Sequence, residues 1–190
     1  MTNWFTQYLM KIARDKESEF GWIRVDINLE LKSYMKKLTD AIDKEDIYTT
    51  KPDDLGWTYG IETDPHITLL YGLHNDSPKE CQETLKGQKG GFFTVDGVSE
   101  FEKEKYDVLK LDVKSEDLHR LHELLKKETE NTQSFPEYKP HLTLSYMKKG
   151  KGKKYIDLFS DSKYKNNDKY KFSEVVFEDK KNIESVIKLW

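Results

Sequence analysis

Pro65-His66-Ile67-Thr68-Leu69 returns as Pro140-His141-Leu142-Thr143-Leu144, and each copy runs on to a tyrosine, Tyr71 and Tyr146. Each phrase alternates polar and apolar residues. In a strand, successive side chains point to opposite faces, so His66 and Thr68 would share one face and Ile67, Leu69 and Tyr71 the other. The second copy sets His141 and Thr143 opposite Leu142, Leu144 and Tyr146 in the same way. A single histidine beside a threonine on a strand is ordinarily a satisfied surface or core residue. Packing has no reason to write the same phrase twice in a chain with only five histidines and five prolines.

The flanking sequence extends the repeat. Gly21 opens an expected strand over 22–27, followed by a helix over 29–43 with Leu31, Tyr34, Met35, Leu38 and Ile42 on one face. Residues 44–64 are polar, carry Pro52, Gly56 and Gly60 beside Trp57 and Tyr59, and show weak periodicity; they read as a loop with the composition of a lid. After the first histidine strand (66–72) come a short helix over 78–86 and strands over 92–102 and 106–113 joined as a hairpin. Gly87-Gln88-Lys89-Gly90-Gly91 lacks the spacing of a phosphate-binding loop and reads as a turn. Ser115 is placed to cap a helix over 116–128 whose buried stripe is Leu118, Leu121, Leu124 and Leu125. The second histidine strand (141–147), a basic loop over 148–154, a short helix over 155–159 and a closing strand pair at 169–178 and 183–189 complete the chain.

Strand, helix, histidine strand, short helix and two strands thus occur twice, in lobes of roughly 22–102 and 106–190. Identity between the halves is confined to the histidine phrase, so the repeat is structural rather than a recent duplication. A pseudo-twofold pairing of the halves would bring the two histidine strands side by side in a central cleft. Residues 1–20 place Trp4, Phe5, Tyr8, Leu9 and Ile12 at helical spacing and read as an amphipathic helix packed against the body.

Composition narrows the function. At 190 residues the chain is long enough for one cored domain, and 13% aromatic against 35% charged residues predicts a firm core under a very polar surface. The net charge of −3 supplies no global basic field for a long nucleic acid. Cys81 stands alone, which excludes an internal disulfide framework and cysteine-based zinc sites and suits a reducing cytoplasm. No apolar run reaches the roughly 20 residues of a membrane span, and the N-terminus lacks a secretory apolar region. A cytoplasmic protein with no membrane attachment and no obligate protein partner is expected.

Two imidazoles, each beside a hydroxyl, suit acid–base chemistry on a phosphodiester. Imidazole titrates near pH 6.5, so one neutral and one protonated ring coexist at neutral pH. Each positioned proton transfer is worth about 10²–10⁴ in rate. The threonine hydroxyls can donate hydrogen bonds to the non-bridging oxygens as charge builds there. Such a site requires no cofactor or metal, and no carboxylate-rich ligand cluster stands out in the sequence.

At these residues the sequence resembles the two-histidine (2H) phosphoesterase superfamily, with its pair of His-x-Thr/Ser-x motifs. The resemblance covers about residues 22–190. It implies an α+β bilobal fold, two antiparallel sheets around a central cleft with helices outside. It also implies that His66 and His141 are the acid–base pair and that Thr68 and Thr143 hold the phosphate. The Lys- and Tyr-rich composition, the Pro-His-Ile-Thr-Leu-Leu-Tyr-Gly wording and the ending from Glu184 to Trp190 are similar to the phage anti-CBASS branch. Enzymes of that branch destroy the cyclic di- and trinucleotide signals of bacterial immunity. The implied reaction is attack of a ribose 2′-oxygen on the adjacent 3′–5′ phosphodiester, giving a 2′,3′-cyclic phosphate that is then hydrolysed.

A nucleotide substrate needs stacking surfaces and polar contacts, and Trp190, Tyr34, Trp57 and Phe101 are candidates for the first and Glu184 for the second. Tyr34 and Phe101 also fit the apolar faces of their own elements, and Glu184 fits an exposed strand. Lys139 and the lysines of 148–154 are candidates for phosphate attraction, although a charged loop commonly faces only solvent. His119 and His122, three apart on a helix, lack a third metal ligand, and His74 reads as a turn residue. Two other functions fit the same phrases: an RNA 2′,3′-cyclic phosphodiesterase acting on RNA ends, and a nucleotide sponge that binds without cutting. Only catalysis needs all four motif residues.

Overall fold

The computed structural model describes residues 20–49, 60–132, 135, 137–161, 164, 166 and 168–190. Trp57 and all but the last residue of the expected 1–20 helix lie outside these. Eight strands among the described residues form two four-stranded antiparallel sheets. The first has the order β2 (His66–Leu73), β1 (Gly21–Asp26), β7 (Glu174–Glu178), β8 (Glu184–Lys188); the second has β5 (His141–Lys148), β4 (Tyr106–Lys114), β3 (Gly91–Glu102), β6 (Lys169–Phe172). The α+β class and the two-sheet architecture are those expected. The α-helices among the described residues are α1 (Leu29–Thr39), α2 (Lys79–Leu85), α3 (Glu116–Glu128) and α4 (Lys153–Phe159).

Capping starts the two longer helices where the sequence indicates. Ser115 Oγ accepts from the Leu118 N–H at 3.1 Å, and Asn28 Oδ1 accepts from the Leu31 N–H at 2.9 Å. Leu31, Met35 and Leu38 of α1 and Leu118, Leu121 and Leu125 of α3 are buried at helical spacing. The first helix ends at Thr39 rather than at residue 43. Beyond it the chain turns into a short 3-10 segment, Lys44–Asp46, where the Tyr155 hydroxyl donates to Asp46 at 2.7 Å and accepts from the Asp43 N–H at 2.9 Å.

Residues 169–178, expected as one strand, are two. Residue Gly91 of β3 pairs with Phe172 of β6, whereas Trp22 of β1 pairs with Glu178 of β7. Ser173 is where the chain leaves one sheet for the other. Continuous alternation records which side chains are buried but not which sheet buries them, and so conceals the break. Strands β7 and β8 do form the expected closing pair. The first sheet draws on both ends of the chain, and β3 joins β4 in the second.

The histidine strands β2 and β5 lie at one edge of each sheet and contact each other. Their outer edges are covered reciprocally. The lead-in to β2 runs along β5, with the Glu62 N–H donating to Leu144 O at 3.0 Å and the Tyr146 N–H to Gly60 O at 2.8 Å. The lead-in to β5 runs along β2, with the Thr132 N–H donating to Gly72 O at 2.9 Å and the His74 N–H to Glu130 O at 3.1 Å. Each arm satisfies backbone groups that an open edge would leave unpaired. Gly72 is needed for the second arm: its φ is +94°, and a Cβ there would lie 2.3 Å from Thr132 O.

Candidate active site

The two histidine strands share an irregularity. In β2, Leu70 pairs with Ile23 and Thr68 with Arg24, leaving Leu69 unmatched; in β5, Ser145 pairs with Leu109 and Thr143 with Lys110, leaving Leu144 unmatched. Each extra residue is a bulge, and it resets the alternation. Leu69 and Leu70 are both buried, as are Leu144 and Ser145. Tyr71 is therefore exposed and Tyr146 half-buried, as the motif residues are, and not in the core with Ile67 and Leu142 as strict alternation predicts. Fully buried Ile67, Leu69, Leu142 and Leu144 each contribute about 1.5–3 kcal/mol and fix which side the imidazoles take.

Both histidines are held alike. Nδ1 of His66 lies 2.8 Å from Asp64 O, and Nδ1 of His141 lies 2.8 Å from Lys139 O. A carbonyl only accepts, so Nδ1 carries the hydrogen and Nε2 is the position left for proton exchange. An aromatic ring from the same sheet braces each imidazole: Trp22 at 4.6 Å from His66 and Phe101 at 4.9 Å, edge-on, from His141. The hydroxyls of Thr68 and Thr143 have no hydrogen-bond partner among the described residues.

A second repeat surrounds the first. Arg24 stands across the ladder from Thr68 and Asp26 across from His66; Lys110 stands across from Thr143 and Asp112 across from His141. Arg24 bonds Asp26 at 2.7 Å and lies 4.9 Å over Trp22; Lys110 bonds Asp112 and lies 4.4 Å over Phe101. The sequence carries this as Ile23-Arg24-Val25-Asp26 and Leu109-Lys110-Leu111-Asp112, an aliphatic–basic–aliphatic–aspartate phrase preceding each histidine phrase. Identity searching between the halves misses it, because only the aspartate is identical; matching by charge and period finds it.

The two copies differ electrostatically. Arg24 also bonds Glu178 at 2.6 Å and Glu184 at 2.7 Å, so three carboxylates surround one cation. Burial works against the Arg24 charge, and the bonds to Glu184 and Asp26 outweigh it, holding the guanidinium above its usual range. Lys110 meets Asp112 and the Ser99 hydroxyl, at 2.6 Å from the latter. Burial lowers the His141 pKa below the ordinary imidazole value; Lys110 and His66 add to the lowering, and Asp112 and the Lys139 carbonyl oppose it.

The remaining sequence candidates fall in several places. Phe101 lies against His141, and Glu184 is tied to Arg24. Tyr34 belongs to its helix's packing: its hydroxyl donates to Tyr164 O at 2.7 Å, and burial pushes its pKa up to about 12. Trp190 is 84% exposed, with its backbone N–H donating to Gln88 O at 2.8 Å. No hydrogen bond or ring contact among the described residues joins Tyr34 or Trp190 to either histidine. Three of the lysines considered for phosphate attraction bond carboxylates, Lys149 to Asp107 at 2.8 Å, Lys154 to Asp43 at 2.8 Å and Lys139 to Glu137 at 3.1 Å, while Lys148 donates to Glu45 O at 2.6 Å. His74 bonds Thr132 Oγ1 at 2.7 Å and helps seat the arm along β2. His122 is buried with Nδ1 2.6 Å from Leu69 O, so it supports a strand. Among the described residues no group of three or more His, Cys, Asp or Glu is arranged to hold a metal ion.

The sequence profile of the 2′-5′ RNA ligase superfamily matches residues 62–166, over half of the chain and including both histidine phrases. The chain belongs to this superfamily. Solved structures share the fold. Usb1 of Kluyveromyces marxianus superposes with a TM-score of 0.56 at 10% identity, covering 92% of this chain and 99% of its own. E. coli LigT complexed with NADP+ superposes with a TM-score of 0.53 at 15% identity, covering 90% and 95% respectively. TT0787 of Thermus thermophilus gives 0.53 at 15% identity, with 89% and 95% covered. Usb1 and LigT are also known in structures with uridine monophosphate and with 3′-AMP. No curated protein matches the sequence. Superfamily membership and the two-histidine resemblance together point to phosphoesterase chemistry on RNA-like substrates. No helix among the described residues is long and apolar enough to cross a membrane.

Proposed function

We propose that this chain is a phosphodiesterase that opens 3′–5′ bonds of cyclic di- or trinucleotide immune signals by histidine–histidine acid–base catalysis, without a metal. The observation that carries the proposal is the duplicated setting of the imidazoles: each has Nδ1 bound to the carbonyl two residues earlier, on contacting strands, with a threonine hydroxyl two residues on. In the first step one neutral imidazole takes the proton of a ribose 2′-hydroxyl as its oxygen attacks phosphorus. The P–O5′ bond breaks, and the other, protonated imidazole gives its proton to the departing 5′-oxygen. In the second step water attacks the 2′,3′-cyclic phosphate with the roles exchanged, the P–O2′ bond breaks, and a 3′-phosphate results. Both proton transfers are covered by the pair, so no Lewis acid is required. Thr68 and Thr143 donate to the non-bridging oxygens as they gain charge.

Charge around Arg24 supports a compact substrate over a long RNA. One cation among Asp26, Glu178 and Glu184 leaves net negative charge beside Thr68, which disfavours an extended polyanion on that side. The 2′-5′ RNA ligase superfamily membership favours a second reading, a phosphodiesterase acting on the 2′,3′-cyclic ends of RNA. One assay separates them. Incubation with 3′,3′-cyclic GMP-AMP in EDTA should give a linear dinucleotide 3′-phosphate, with turnover exceeding that on RNA bearing a 2′,3′-cyclic end. Faster turnover of the RNA end would establish the second reading, and loss of all turnover in EDTA would refute the metal-free mechanism.

A further inference from the structure

The bulges at Leu69 and Leu144 direct one backbone carbonyl each toward a different kind of donor. Leu144 O accepts from the backbone N–H of Glu62, in the arm that covers β5. The Leu69 carbonyl, its counterpart, instead meets a side chain, Nδ1 of His122, at 2.6 Å. His122 comes from α3, in the other half of the chain, and is 2% exposed. The Tyr138 ring stacks on it with centroids 4.0 Å apart and planes within 4° of parallel. The Tyr138 hydroxyl in turn donates to Thr68 O at 3.0 Å. Two consecutive carbonyls of the first histidine strand, one of the motif threonine and one of the bulge, are thus held by one stacked pair. The equivalent carbonyl in β5 needs no such pair, because an arm of backbone already serves it.

We infer that His122 and Tyr138 are positioning residues that fix the Thr68–Leu69 backbone and, through it, the direction of the Thr68 hydroxyl and the His66 ring. The carbonyl requires a hydrogen on His122 Nδ1, which leaves Nε2 facing Glu123 at 3.8 Å. His119 lies with its ring 5.1 Å from that of Tyr138, and Lys126 lies one turn further along α3, so the charged groups acting on His122 come from α3 itself. A bulge is a soft point in a ladder, and a motif residue next to one needs external support to keep its geometry. The pair also links distant parts of the chain, tying α3 and the lead-in to β5 to the first histidine strand.

The inference rests on the phosphodiesterase reading for its kinetic arm and on no activity for its structural arm. His122→Phe keeps the stack and removes the donor; His122→Asn replaces the Nδ1 donor with a side-chain amide. The Phe variant should lose about 10- to 100-fold in kcat with KM little changed, and the Asn variant should recover most of it. Its loss should fail to multiply with that of Thr68→Ala, because both act through one hydroxyl, and should multiply with that of Thr143→Ala. Independently of turnover, native-state hydrogen exchange of His122→Phe should show lost protection at the amides of residues 68–70 and none at 143–145. Equal multiplication with both threonine variants, or exchange unchanged at 68–70, overturns the assignment. A wild-type protein that cleaves no nucleotide would refute the phosphodiesterase reading while the exchange measurement still decides this one.

Discussion

Lys110 stands directly across the β4–β5 ladder from Thr143, and its ammonium group is buried over the Phe101 ring at 4.4 Å. A cation in that place bears on the charge of everything beside it, including His141, whose protonation it disfavours. Its counterpart Arg24 holds the same position beside Thr68 but is outnumbered by carboxylates. The halves therefore repeat in geometry and differ in field. In the proposed mechanism one histidine gives a proton while the other takes one, and an unequal field is one way to keep those roles apart.

Removing the Lys110 charge should move the pH profile. With Lys110→Met, the cation that disfavours His141 protonation is gone and Asp112 is left unneutralised; both changes raise the His141 pKa. The pH at which the neutral form of His141 is lost should rise, read by histidine NMR titration, and the limb of the kcat/KM profile that His141 sets should move to higher pH with it. An unchanged titration would show that Lys110 does not act on His141.

Burial lowers the pKa of both His122 and His141 in the folded chain. The unfolded chain, titrating near pH 6.5, then takes up protons that the folded chain refuses. Their contribution to stability is full above that pH and declines as pH falls through the folded-state values. Thermal unfolding between pH 8 and pH 5 should show Tm falling on the acid side, and less steeply in His122→Phe.

Replacing either motif histidine should slow turnover steeply without unfolding the protein. Both rings are only partly buried and bond just one carbonyl each, so His66→Ala and His141→Ala should leave Tm close to wild type. Each should lower kcat by about 10²–10⁴. The double variant should be little worse than the poorer single one, because the two rings act as one unit. Steady-state kinetics with circular dichroism as the folding control tests all three.

Arg24 is a structural keystone of the first sheet. Arg24→Met leaves Glu178 partly buried beside two further carboxylates, with about 3 kcal/mol lost by denaturant titration. Glu184→Gln keeps a partner for Arg24 and changes a half-exposed contact, at a cost of about 1 kcal/mol or less. Equal costs would show that the burial of Arg24 is not what matters.

Gly72→Ala should damage both stability and turnover. The backbone there has φ of +94°, and the added methyl would meet Thr132 O at 2.3 Å, so the arm over β2 must shift. A loss of about 1–3 kcal/mol is expected, with hydrogen-exchange protection reduced at Thr132 and His74. Gly87→Ala is the comparison: its φ is also positive, at +73°, but nothing lies within 4 Å of the added methyl.

The primary structure by itself determined the histidine strands, the α3 cap at Ser115 and the buried stripes, because alternation, helical spacing and capping are local properties of consecutive residues. It also held the basic–aspartate phrase around Arg24 and Lys110, legible once charge rather than identity is compared. Packing alone decided the rest. The bulges that turn Tyr71 and Tyr146 out of the core depend on which residue stands across the ladder. The split of 169–178 between sheets depends on the edges open to receive it. The arrival of His122 and Tyr138 behind Thr68 depends on contacts far apart along the chain, and no periodicity within one segment encodes a partner that lies in another.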